Sequence, residues 1–215
     1  MGITIEMPET YTPEREYVMQ VVFGVFLCIE YHIEYACCEA VTLKLPNGKS
    51  IVLIDSLFGV DESIWLTEHA LPEMPLSLFD AGKFHTAYSA SEPVLPVIYG
   101  DPCVNMYEHK DTVECRIDIF GSIFFMLSRY EEYVLANRDI HDRFPGRESL
   151  AFRAGFIEKP IVNCYLELLW FLLKIQCSSL ERNQHHFTMS PTHDVDRPFE
   201  YYLLSCLLYT SPSPR

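Results

Sequence analysis

The sequence predicts an α+β fold, and three observations carry that prediction. Pro46-Asn47-Gly48 sits between two apolar runs and marks a β-hairpin, because Asn-Gly adopts positive φ at little cost. Three stretches repeat apolar residues at helical spacing. Between the first and the second, Pro72, Pro75, Pro93, Pro96 and Pro102 break the chain into loops and short strands, without the strand–helix alternation of a parallel α/β sheet.

Thr12-Pro13-Glu14 reads as a helix start, with a hydroxyl cap, proline in the first turn and an acid near the positive end of the dipole. Val18, Val21, Val22, Val25 and Ile29 follow as its buried stripe. His32 to Tyr35 reads as a strand, and residues 41–45 and 51–54 are the arms of the hairpin. Asp118 caps a predicted helix running to about Leu135, with Ile119, Ile123, Met126, Leu127 and Tyr130 inward. Residues 137–148 are polar and irregular. Asn163 is the expected cap of a further helix to about Ile175, packed through Leu166, Leu169, Trp170, Leu172 and Leu173. The boundary of this domain falls within residues 178–186, and no internal repeat or low-complexity segment interrupts it.

Composition narrows the function classes. A formal charge of −14 with no basic run argues against nucleic acid as a partner. The N-terminus lacks a basic segment followed by an apolar one, and the apolar run 18–29 is too short for a bilayer. The expectation is a cytoplasmic protein with no membrane partner, its oligomeric state open. Cys28, Cys37, Cys38, Cys103, Cys115, Cys164 and Cys177 form no C-x-x-C pair and read as buried free thiols in a reducing compartment. Residues 206–215 match, residue for residue, the translation of a transposase sequencing adapter; they read as an artefact, with native sequence ending near Ser205.

The chemistry-bearing stretch is Thr192-His193-Asp194-Val195-Asp196, after the apolar Phe187-Thr188-Met189. On a strand, Asp194 and Asp196 face the same side and His193 the other, so both carboxylates reach one cation or one water. A surface turn accounts for the same residues, since Arg197-Pro198 follows. His185-His186, on opposite faces of an extended segment, do not share a metal ion.

Residues 118–132 (DIFGSIFFMLSRYEE), 143–149 (RFPGRES), 160–163 (PIVN) and 192–196 (THDVD) resemble, in that order, a group of bacterial polysaccharide deacetylase-family proteins. In these a poorly characterised N-terminal domain precedes a catalytic domain of the NodB type. The resemblance implies residues 1–185 as an accessory domain and residues 186–205 as the start of a distorted (β/α) barrel. It implies metal-dependent hydrolysis of N-acetyl or similar amide groups on a carbohydrate substrate. Carried over, Asp194 is the general base and Asp196 a ligand of a divalent metal, zinc or similar. The family's opening motif has adjacent aspartates, whereas Val195 separates them here. Its paired histidine ligands fall beyond Ser205, so the segment alone is expected to bind no metal and to be inactive. Three protein ligands plus a water position are what catalytic zinc requires.

Two other classes fit the residues. Asp-x-Asp at a strand end also holds the metal in many glycosyltransferases, although the strand–helix alternation of a nucleotide-binding region is missing. A non-catalytic carbohydrate-binding or interaction module also fits, because residues 1–185 carry no complete catalytic constellation. Arg129 and Glu132 read as a solvated i, i+3 pair, and Asp139, His141, Asp142 and Arg143 as a charged loop. Tyr31, Tyr35, Tyr88, Tyr99 and Tyr107 read as partly buried core residues with wet hydroxyls.

Overall fold

The computed structural model describes residues 2–84, 93–106, 111–182 and 188–192, and the chain divides into two compact units, residues 1–183 and 184–215. The first unit is α+β. Eight strands are formed among the described residues: β1 (Ile3–Met7), β2 (Tyr31–Tyr35), β3 (Ala40–Lys44), β4 (Ser50–Ile54), β5 (Ser77–Asp80), β6 (Val94–Val97), β7 (Gly100–Met106) and β8 (Thr112–Ile117). Six of them make a mixed sheet in the order β2-β1-β3-β4-β8-β7, and β5 pairs with β6 in a second sheet.

Alternation along the strands separates two faces. Ile3, Ile5, Met7, Val41, Leu43, Ile51, Leu53, Val113, Cys115 and Ile117 are buried, while their neighbours Thr4, Glu6, Thr42, Ser50, Val52, Thr112 and Glu114 are half-buried. Two long helices and a shorter one share the core with the buried face: α1 (Thr12–Met19), α2 (Ile119–Ser128) and, after the short α3 (Tyr130–Val134) and α4 (Leu150–Arg153), α5 (Ile161–Gln176). Of these, α2 packs on both α1 and α5, and α5 lies against β4. The hairpin forms as expected: β3 and β4 pair antiparallel, and Gly48 takes φ 83°. Asn47 ties the turn to α5 by donating from Nδ2 to the Gln176 carbonyl at 2.7 Å.

Several expectations are corrected. The first helix continues past Met19 as a π-helical stretch, Gln20–Phe26. The wider i→i+5 turn rotates the inward face, so Val18, Met19, Val22, Phe23 and Leu27 are buried while Val25 is 56% exposed. Tyr11 in the left-handed region, not Thr12, precedes that helix. The helix predicted from Asp118 to Leu135 is broken at Arg129, whose φ of 56° ends α2 and starts α3. Asn163 lies inside the first turn of α5, which begins after Pro160. The thiols are free as expected, but only Cys115, Cys164 and Cys177 are buried. Cys28 and Cys37 are exposed, and Cys38 and Cys103 half-buried, because they sit on connections or at strand positions outside the core. Thr188–Thr192 are in neither helix nor strand, so the apolar strand expected at residues 187–189 is not formed where it is described.

Candidate functional site

The polar centre of the described residues lies at the C-terminal ends of the parallel neighbours β4 and β8, where α/β arrangements gather functional groups. Asp55 follows β4 directly, and Asp118 joins β8 to α2. Arg15 reaches Asp55 from α1. All three are buried: Arg15 and Asp118 are each 1% exposed and Asp55 8%.

Asp118 is held by three backbone donors. Ser56 N–H and Leu57 N–H donate to Oδ2 at 2.9 and 2.8 Å, and Gly121 N–H donates to Oδ1 at 2.7 Å. The last bond is the N-cap of α2, and the first two hold the loop after β4 to the same carboxylate. Gly121 is glycine because a Cβ there would stand 2.3 Å from Asp118 Oδ2. Arg15 donates from Nη2 to Asp55 Oδ2 at 2.6 Å and to the Phe58 carbonyl at 3.3 Å, and from Nε to the Thr10 carbonyl at 2.6 Å. Its guanidinium stacks over the Phe58 ring, 4.9 Å from the centroid. Nη1 is buried with no hydrogen-bond partner.

The electrostatics follow from two acids and one cation held away from water. Burial, reinforced by the Asp55 charge, pushes Asp118 up to about 7 against the pull of its three N–H donors. Asp55 is also raised by burial, opposed by the Arg15 hydrogen bond and charge. An open cleft of about 640 Å³ lies apart from this cluster, at the start of β1 and β2, lined by residues 2–4 and 29–32. With its three side chains buried, the cluster joins α1, the β4 loop and α2, and is not shaped to receive a substrate.

Asp194 and Asp196 lie outside the described residues, as do His185, His186 and His193, and so do Tyr88 and Tyr107. Among the described residues there is no group of three or more His, Cys, Asp or Glu placed to hold a metal ion. No described helix is long and apolar enough to cross a membrane. The Arg129–Glu132 pair forms as read, with Arg129 71% exposed. The charged loop is ordered by Asp139, whose Oδ1 accepts from the backbone N–H of His141 and Arg143 at 2.8 and 2.9 Å. Tyr99 donates to the Ala70 carbonyl and Tyr35 to Glu16.

Asp118 is read from sequence only as a cap, and Arg15 and Asp55 are missed. Signals for both exist. Arg15, Val18 and Val22 share one helical face, and Asp55 ends the apolar run Ile51-Val52-Leu53-Ile54.

Residues 3–178 match the model of a family of unknown function, DUF7033, and the chain belongs to that family. No curated protein and no solved structure matches the chain.

Proposed function

We propose that this DUF7033 member is the N-terminal part of a cytoplasmic, metal-dependent carbohydrate deacetylase-like hydrolase that cleaves C–N amide bonds. In this reading residues 1–185 are its accessory domain. The observation that carries the reading is the ordered set of four family-like segments, residues 118–132, 143–149, 160–163 and 192–196. The family match supports the division of labour, since it ends at residue 178, ahead of the Asp194/Asp196 motif. The three upstream segments also fall on structurally important positions: the Asp118 cap, the end of the charged loop, and the start of α5.

Asp194 is assigned as the general base that takes a proton from the attacking water, and Asp196 as one carboxylate ligand. A divalent metal, when bound, supplies polarisation of the acetyl carbonyl and of that water. Two aspartates do not make a zinc site by themselves, so the remaining ligands must come from other residues. The accessory domain is assigned the role of a binding module that positions the catalytic domain on its carbohydrate.

The test is acetate release from N-acetylated oligosaccharides by the protein encoded by the complete native reading frame, with added divalent metal. Asp194→Asn should lower the rate about 10²- to 10⁴-fold, the range typical of general-base loss, with the melting temperature unchanged. An Asp194→Asn protein with wild-type turnover would remove the assignment.

A further inference from the structure

Among the described residues the sheet ends in two edges of unlike character. At one end, β7 carries a bulge between Gly100 and Val104, and β5 and β6 pack beside it. At the other end, β2 is a regular five-residue strand which, among the described residues, pairs only with β1. Its parallel register with β1 fixes which backbone groups point where. Ile3 N–H donates to the Glu30 carbonyl, and Ala36 N–H donates to the Met7 carbonyl, both close to 3 Å. Even-numbered residues of this segment therefore turn their N–H and C=O toward β1. The N–H and C=O of Tyr31, Ile33 and Tyr35 point away from the sheet, and a row of such groups is a template for another strand.

The sequence of this strand is complementary to itself. Tyr31-His32-Ile33-Glu34-Tyr35, laid antiparallel on a second copy with Ile33 opposite Ile33, sets Tyr31 against Tyr35 and His32 against Glu34, twice over. The outward groups of residues 31, 33 and 35 then become the hydrogen-bonded pairs, as that geometry requires. His32 and Glu34 become the closer, non-hydrogen-bonded pairs, whose side chains share the face opposite the helices. Both are exposed on the single chain, so the partner reaches them without rearrangement. An imidazole N–H donates to a carboxylate whether the ring is neutral or charged. Glu34 already lies 3.5 Å from Lys44 across an exposed gap, and its carboxylate retains acceptor capacity for a second donor.

Charge also selects the register. Of the antiparallel registers that use the outward groups, a shift one way sets Glu30 against Glu34, and a shift the other way sets Glu34 against Glu34. Both place like charges at the closest pairs, which is unfavourable. Only the register centred on Ile33 engages all five residues and sets an imidazole donor opposite each Glu34 carboxylate.

We propose that β2 is a homodimerisation edge: two copies of this chain join through antiparallel Tyr31–Tyr35 strands about a two-fold axis at Ile33, making one continuous sheet. Isologous pairing of this kind closes on itself and leaves no further β2 edge exposed. A short edge with few apolar side chains makes a smaller interface than the standard size, so the dimer forms reversibly at roughly micromolar concentration.

The experiment is sedimentation of the full chain over about 1 to about 200 µM, spanning the range expected of a small interface. The wild type should pass from monomer to dimer. His32→Glu puts a carboxylate opposite a carboxylate at both outer pairs, and Glu34→His puts an imidazole opposite an imidazole. Each variant alone should weaken association about tenfold or more. An equimolar mixture of the two variants should dimerise near the wild-type constant, because at both 32/34 pairs a carboxylate again faces an imidazole. A wild type that stays monomeric throughout overturns the proposal. So does an unchanged constant for His32→Glu, or a mixture that fails to associate.

Discussion

The buried centre at Asp118 and the outer edge at β2 treat backbone hydrogen-bonding groups in opposite ways. At Asp118 three N–H groups that no strand or helix ladder serves converge on one carboxylate, so loop, helix start and strand end are held together. At β2 the N–H and C=O groups of Tyr31, Ile33 and Tyr35 have no strand to pair with among the described residues. A buried unpaired group costs folding free energy, whereas one at an edge is solvated and can be transferred to a partner strand. The polar interior therefore serves stability, and the capacity for association lies at the rim.

Substitutions sharpen the contrast. Asp118→Ala leaves Ser56, Leu57 and Gly121 N–H without an acceptor; at about 1–3 kcal/mol for each unsatisfied group, this is the largest loss and leaves little folded protein in a urea titration. Arg15→Met strands the buried Asp55 carboxylate and should cost about 3–5 kcal/mol by the same titration. Adding Asp55→Leu should recover much of that loss, because an apolar pair needs no desolvation of charge. Gly121→Ala sets a methyl against Asp118 Oδ2 and is expected to cost about 1–3 kcal/mol, as overpacking does. At the rim, His32→Glu should move monomer stability by no more than about 0.5 kcal/mol, measured at a concentration where dimer is absent.

The centre also makes stability depend on pH in a definite direction. Asp118 is raised from 3.8 to about 7 by burial and by Asp55, so the folded state binds its proton more tightly than the unfolded state. The contribution is fully present below the unfolded value and is lost as pH rises through about 7. Urea midpoints should therefore fall across that window for wild type, and fall less for Asp118→Asn. A wild-type midpoint that rises steadily from about pH 4 to about pH 7 would show that the three N–H donors outweigh burial.

The parts of the molecule read correctly from sequence are those governed by local rules. Asn47-Gly48 specifies its hairpin because glycine at position 48 takes positive φ without strain, and Asp118 specifies a helix start because capping spans only three residues. The stripe on the first helix fails at Val25 because the π-helical turn changes the period, and a 3.6-residue template does not anticipate that. The expected single helix after Asp118 fails at Arg129, where a residue with ordinary helix propensity takes a left-handed conformation inside the fold. The Arg15–Asp55 pair joins residues forty apart in sequence, and no local pattern specifies such a partner. The Asp194/Asp196 motif, read from sequence as a base and a metal ligand, falls on residues outside those described.

Residue-resolved hydrogen–deuterium exchange tests the contrast between centre and rim most directly. At low protein concentration the amides of Ser56, Leu57 and Gly121 should exchange only through global unfolding. Within β2, the amide of Ile33 should exchange far faster than those of His32 and Glu34, which face β1, and should slow as concentration rises. If Ser56 and Leu57 exchange as fast as Ile33, or if Ile33 is as protected as its neighbours at every concentration, the account of a locked centre and an open, pairing edge is contradicted.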